Sequence, residues 1–215
     1  MFKKSLLFVA AFAVSSSLCA QRARNLSIGP MIGVNVSNLR GDIDNNTAKA
    51  GLVAGGFFNY SIVEHFGISG QVTYSQQGAN FTEPMYGLGE RLKLNYLNVP
   101  LLAVFYFGEG LRPGTVRPKL FLGPHANFLL VAKDKAGQTR TKEFNGVDFG
   151  ATLGGGLNIA LRNQRWVNLD LRYGLGLSDV RKNDNLDWKN GAFAATVGIS
   201  FPLGNYNERT GTLRR

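Results

Sequence analysis

The chain is poor in cysteine, histidine and tryptophan, and past its first twenty residues it has no apolar run long enough to cross a membrane as a helix. The single cysteine, Cys19, excludes an internal disulfide framework. With only His65 and His125 and no second thiol, the residues for a zinc site are missing. A Ser/His/Asp site could use only His125, because His65 falls in a short turn and no G-x-S-x-G elbow is present. The Gly154, Gly155, Gly156 triplet lacks the order of a phosphate cradle. Asp42, Asp44 and Asn46 imitate the start of a calcium loop, but Thr47 stands where its turn needs glycine. Asp179, Asp184 and Asp187, with Asn183 and Asn185, read as another solvated loop. No enzyme, cofactor or metal is expected.

What is present begins with Lys3 and Lys4, an apolar run from Leu6 to Val14 and a small-residue exit at Ala20, the pattern of a secretory signal peptide over 1–20. Its apolar core is shorter than the roughly 20 residues of a spanning helix, and cleavage after Ala20 removes the only thiol. The remainder, 21–203, reads as one domain followed by a basic tail, 204–215, expected in the periplasm. Without Lys3 and Lys4, 22 basic residues face 14 acidic ones, a net charge of +8.

The strongest signal is alternation. From Val167 to Leu177, Val167, Leu169, Leu171, Tyr173, Leu175 and Leu177 share one face while Asn168, Asp170, Arg172, Gly174 and Gly176 share the other. Val147 to Ile159 repeats it, and period two means strand. Eight such stretches are expected: Leu26 to Asn38, Ala50 to Tyr60, Phe66 to Gln76, Leu92 to Phe107, Lys119 to Val131, Val147 to Ile159, Trp166 to Leu177 and Ala192 to Leu203. Their apolar sets include Ile28, Ile32, Val34, Leu52, Phe58, Val72, Leu101, Phe105, Leu120, Leu122, Phe193 and Val197, with no charge among them. A Lys or Arg facing lipid at mid-bilayer costs roughly 2–4 kcal/mol, so this segregation points to apolar faces turned outward. The fold class is all-β, an up-and-down antiparallel transmembrane β-barrel of about eight strands. Such a barrel hides from hydropathy tests because each strand needs only about 9–11 residues.

The links alternate between longer (Arg40 to Lys49, Gln77 to Arg91, Ala132 to Gly146, Ser178 to Gly191) and shorter (Ser61 to His65, Ala160 to Arg165), with Gly108 to Pro118 between. Long loops outside and short turns in the periplasm fit an outer-membrane barrel. Tyr60, Phe66, Tyr74, Phe107, Phe144, Phe149, Trp166, Phe193 and Phe201 lie near strand ends, as interfacial girdles require. Pro30, Pro100 and Pro124 fit poorly inside strands, and the apolar phase of the fourth strand flips near Tyr96, marking a bulge or a strand that leaves the bilayer with Arg91 and Lys93 in water.

Lys119, His125, Asp148, Asp170 and Arg172 fall in the polar phase of three consecutive strands and are expected as a structural polar network filling the lumen. Inward Gly33, Gly150, Gly154 and Gly174 give them room. The loop cations Lys133, Lys135, Arg140, Lys142, Arg181 and Lys182 lie on the expected outer side, where lipid phosphates are a better match than nucleic acid.

The runs LNYLNVPLLAVFYF (Leu94 to Phe107), LFLGPHANFLL (Leu120 to Leu130) and LDLRYGLGLSDV (Leu169 to Val180) resemble the PorT-like outer-membrane β-barrel family of Bacteroidetes. The resemblance rests on Tyr96, Asn98, Pro100, Leu101 and Leu102, on Gly123 with Pro124, and on Arg172, Tyr173, Gly176 and Leu177. It implies a small exported Gram-negative barrel, no catalysis, and for some relatives a link to protein secretion machinery. Here Phe201 is followed by Pro202 and the basic tail, where barrel chains often end on an aromatic.

The expected function is a non-enzymatic integral protein of the cell outer membrane acting through its extracellular loops in a structural, adhesive or assembly role. Its expected partners are outer-membrane lipid, lipopolysaccharide or other outer-membrane proteins. The alternatives are a soluble lipocalin-like barrel with apolar faces turned in around a lipophilic ligand, and a narrow porin-like outer-membrane pore.

Overall fold

The computed structural model describes residues 26–41, 46–81, 91–110, 112–182 and 188–203. The signal peptide, the tail, Asp42, Asp44, Asn183, Asn185, Asp184 and Asp187 lie outside the described residues. Eight strands form: β1 Leu26–Gly41, β2 Asn46–Val63, β3 Phe66–Phe81, β4 Arg91–Tyr106, β5 Val116–Lys133, β6 Val147–Ala160, β7 Trp166–Gly176 and β8 Trp188–Pro202. Each pairs antiparallel with the next, and β8 returns to β1, so the sheet closes with no edge. In lipid that closure is obligatory, because an unpaired backbone group there costs several kcal/mol.

The faces are sorted as the alternation requires. Leu169, Leu171 and Val197 are 40%, 55% and 41% exposed on the outer wall, whereas Asp170 and Arg172 are each 8% exposed in the interior. Ile32, Leu52, Val72, Leu101, Leu122 and Phe149 continue the outward apolar belt. A lipocalin-like arrangement is thereby overturned, since it would bury this set and expose the other.

Three expectations are corrected. The first link is not long: β1 runs to Gly41 and β2 starts at Asn46, and pairs such as Ser37 with Lys49 carry the ladder beyond the apolar belt. Strands of 16 and 18 residues exceed the roughly 9–11 a bilayer needs, and polar residues keep pairing outside it. Second, the irregularity expected near Tyr96 is present, but β4 itself keeps one phase throughout. Leu92, Leu94, Tyr96, Leu102 and Val104 are all buried on the lumen side, while Arg91, Lys93 and Leu101 are exposed outside. The irregularity belongs to β5, where Asn95 pairs Val131 but Tyr96 pairs Leu129, leaving Leu130 as the extra residue of a bulge. Third, Phe144 is 1% exposed and packs inside the far end instead of joining a girdle, and Trp166 shares the phase of lumen-facing Asn168.

The prolines sit where one ladder pauses. The β1–β8 pairing steps from Ile28 with Phe201 to Met31 with Gly198, passing over Gly29 and Pro30. The β3–β4 pairing passes over Val99 and Pro100, and the β4–β5 pairing over Gly123 and Pro124. Each missing N–H therefore falls at a break and leaves the other neighbour's ladder intact.

Candidate functional site

The interior is stacked in layers. At the end where β1 begins and β8 finishes, Arg117 donates Nη2 to the Glu64 carbonyl at 2.9 Å and lies 5.5 Å from the Tyr106 ring centre. The next layer centres on Asp170. Lys119 Nζ is 2.8 Å from its Oδ1 and Arg172 Nη2 is 3.3 Å from its Oδ2. Arg172 also donates to Gln71 Oε1 at 2.5 Å and to Thr196 Oγ1 at 3.1 Å, and Lys119 to Asn168 Oδ1 at 3.3 Å. Both cations flank the Phe121 ring, at 5.9 and 5.6 Å from its centre. A Cβ on Gly156 would lie 2.3 Å from Asp170 Oδ1, so only glycine admits the carboxylate there.

His125 and Asp148 do not join this group. His125 Nδ1 lies 2.9 Å from Thr152 Oγ1, beside a polar cavity of about 50 Å³ also bounded by Asn35, Ser75, Asn98 and Asn190. That volume holds a few waters at roughly 10–15 Å³ each. Asp148 ends a chain of amides: Asn98 donates to Asn127, and Asn127 to Asp148 Oδ1 at 2.7 Å. Asn35 donates to Ser75 Oγ at 2.9 Å, and Asn190 bonds Gln77. Among the described residues, His125 meets the Thr152 hydroxyl and no carboxylate.

Beyond the cavity an apolar cluster of Leu39, Phe81, Leu92, Leu94, Phe144 and Trp188, among others, packs together nearly without exposure. Phe144 is delivered by the β5–β6 connection, and its backbone bridges Arg181. The alternation hinted at this cluster only through the misfitting Leu92 and Leu94. The lumen amides Gln71, Asn98, Asn127 and Asn168, with Thr196, were missed because a charge filter ignores neutral groups, although their phase marks them. Arg117 was missed because it fell in an expected link.

Among the loop cations, Arg140 is held by Asp134 Oδ2 at 3.3 Å and Glu143 Oε1 at 3.1 Å, and its hydrogen bonds to Glu143 and Asp134 raise its pKa. Arg181 lies 4.8 Å from the Trp188 ring. Lys133 ends β5, and Lys135, Lys142 and Lys182 are exposed. Among the described residues, no group of three or more His, Cys, Asp or Glu converges as metal ligands would.

A family described as an outer membrane protein beta-barrel domain matches residues 16–182. The chain belongs to that family. It is an integral outer-membrane barrel, and the outward apolar belt is its lipid contact. Comparison with curated proteins gives no match. Solved structures share the fold: Neisserial surface protein A, NspA, has a TM-score of 0.54 at 14% identity, over 82% of this chain and 97% of that one. The outer membrane protein OprG from Pseudomonas aeruginosa has a TM-score of 0.50 at 12% identity, over 81% and 93%. Ail of Yersinia pestis has 0.44 at 17%, over 81% and 98%. The start of β1 and the finish of β8 lie at one end of the barrel with the β2–β3 and β6–β7 turns, and the cluster of Trp188 and Phe144 lies at the other.

Proposed function

We propose that this barrel is non-enzymatic, that its lumen is sealed, and that it acts at its extracellular rim in a structural, adhesive or assembly role. Outer-membrane lipid, lipopolysaccharide or neighbouring outer-membrane proteins are its partners. The observation that carries the reading is double closure: the Asp170 layer fills the middle of the lumen and the Trp188 cluster fills its outer mouth. A ligand or solute entering from outside meets packed side chains, and two interior cavities among the described residues, of about 20 and 50 Å³, suit waters. The resemblance to PorT-like barrels supports a link to protein export at the same rim. In planar bilayers the folded protein is expected to give no steady conductance. Reproducible ohmic steps would replace this reading with the narrow pore.

A further inference from the structure

Two of the rim cations of the connections are engaged within the chain, Arg140 between two carboxylates and Arg181 on Trp188. A different basic group stands on the outer wall itself. Lys93 of β4 is the direct cross-strand partner of Lys133 of β5, both exposed, and Arg91 projects from the same face two residues along. Lys49 of β2 lies near enough to Lys93 and Arg91 to feel their repulsion. The intervening β3 carries Gly78, which has no side chain, opposite Lys93. Lys49 Nζ donates to the Gln77 carbonyl at 3.3 Å, and Arg91 Nε to Asn80 Oδ1 at 3.2 Å. Among the described residues, no ion pair engages any of the four.

Like charges directly opposite on a sheet destabilise it, so a Lys–Lys pair flanked by two more cations calls for an anion supplied from outside the chain. Position identifies the source. From Lys93 the same face passes Asn95 and reaches Leu97 after four residues, about 13 Å, where the apolar belt begins with Leu97, Leu101, Phe128 and Leu130. The cations therefore stand where hydrocarbon gives way to headgroups at the extracellular end. A phosphate offers several acceptor oxygens to such donors and neutralises more than one of them.

We propose that Lys49, Arg91, Lys93 and Lys133 form a wall-mounted site for the phosphate groups of an anionic lipid of the outer leaflet. This deepens the lipid partner named above and depends on membrane insertion, not on the sealed lumen. The test is native mass spectrometry of the full chain, folded in detergent, with lipid A or its dephosphorylated form at equal concentration. Wild type is expected to retain the phosphorylated lipid at least about fivefold better. K93Q/K133Q abolishes that preference, the single R91Q lowers it, and the loop control R112Q/R162Q, at the opposite end of the barrel, keeps it. Folding of every variant is checked by the gel shift between unheated and heated samples, and R91Q carries the test should the double variant not fold. An unchanged preference in K93Q/K133Q, or its loss in the loop control, overturns the site. Complete displacement of the lipid by about 20 mM inorganic phosphate assigns the cations to a free anion and overturns the lipid assignment. A conducting lumen would end the sealed-barrel reading while leaving the lipid preference intact.

Discussion

Arg172 on β7 reaches Gln71 on β3 with a 2.5 Å hydrogen bond, and because these strands stand four apart in a closed ring of eight, the contact spans the barrel's diameter. The same guanidinium holds Asp170, whose other oxygen holds Lys119. One carboxylate thus organises two buried cations, and the layer stays closed only while all members are paired.

Asp170→Asn is expected to destabilise the barrel by about 3–5 kcal/mol, because it leaves Lys119 and Arg172 buried beside a neutral amide. Replacing all three with apolar residues (Lys119→Met, Asp170→Leu, Arg172→Met) should recover at least half of that loss. Urea unfolding in lipid vesicles reads both values. A triple variant less stable than Asp170→Asn would show that the charges contribute more than their own compensation.

Closure is expected to be redundant. Gln71→Ala with Arg172→Ala removes the diametral bond yet should remain silent in planar bilayers, because Phe144 and Trp188 still fill the outer mouth. Adding Phe144→Ala and Trp188→Ala should produce conductance steps. Steps from the first pair alone would mean that the outer cluster does not seal.

The lipid face should respond to charge by depth. Leu171→Arg, at the middle of β7, is expected to cost about 2–4 kcal/mol, and Val63→Arg, beside the β2–β3 turn, about 0–1 kcal/mol. Equal costs at the two positions would contradict the placement of the bilayer.

At the seam between first and last strands, Gly29→Val and Pro30→Ala should part company. A Cβ on Gly29 would lie 1.7 Å from the Ile199 carbonyl oxygen, so the valine variant is expected to lose the compact unheated band. Pro30 sits where the β1–β8 ladder already pauses, and its alanine variant should fold normally. A compact band from Gly29→Val would show that the seam can open locally at no great cost.

Much of the fold was legible because one-face alternation reports directly on which residues see lipid. Leu169, Leu171 and Val197 could be assigned outward, and Asp170 and Arg172 inward, from phase alone. The same logic failed for Leu92 and Leu94, since it assumed a uniformly polar lumen while one end of the interior is packed with apolar side chains. It also treated the charged lumen residues as one network, although their phase carries no height: Lys119 and Asp170 stand in one layer, and His125 and Asp148 stand in others.

Alternation along the chain was enough to place the strands approximately and to assign most of their lipid-facing sets, because charged residues cannot share the face that meets hydrocarbon. Which inward groups touch, where the β5 bulge falls and that Lys93 stands opposite Lys133 emerge only in the closed barrel. Those depend on register and stagger between strands distant in sequence, which closure of the ring fixes and local pattern does not encode.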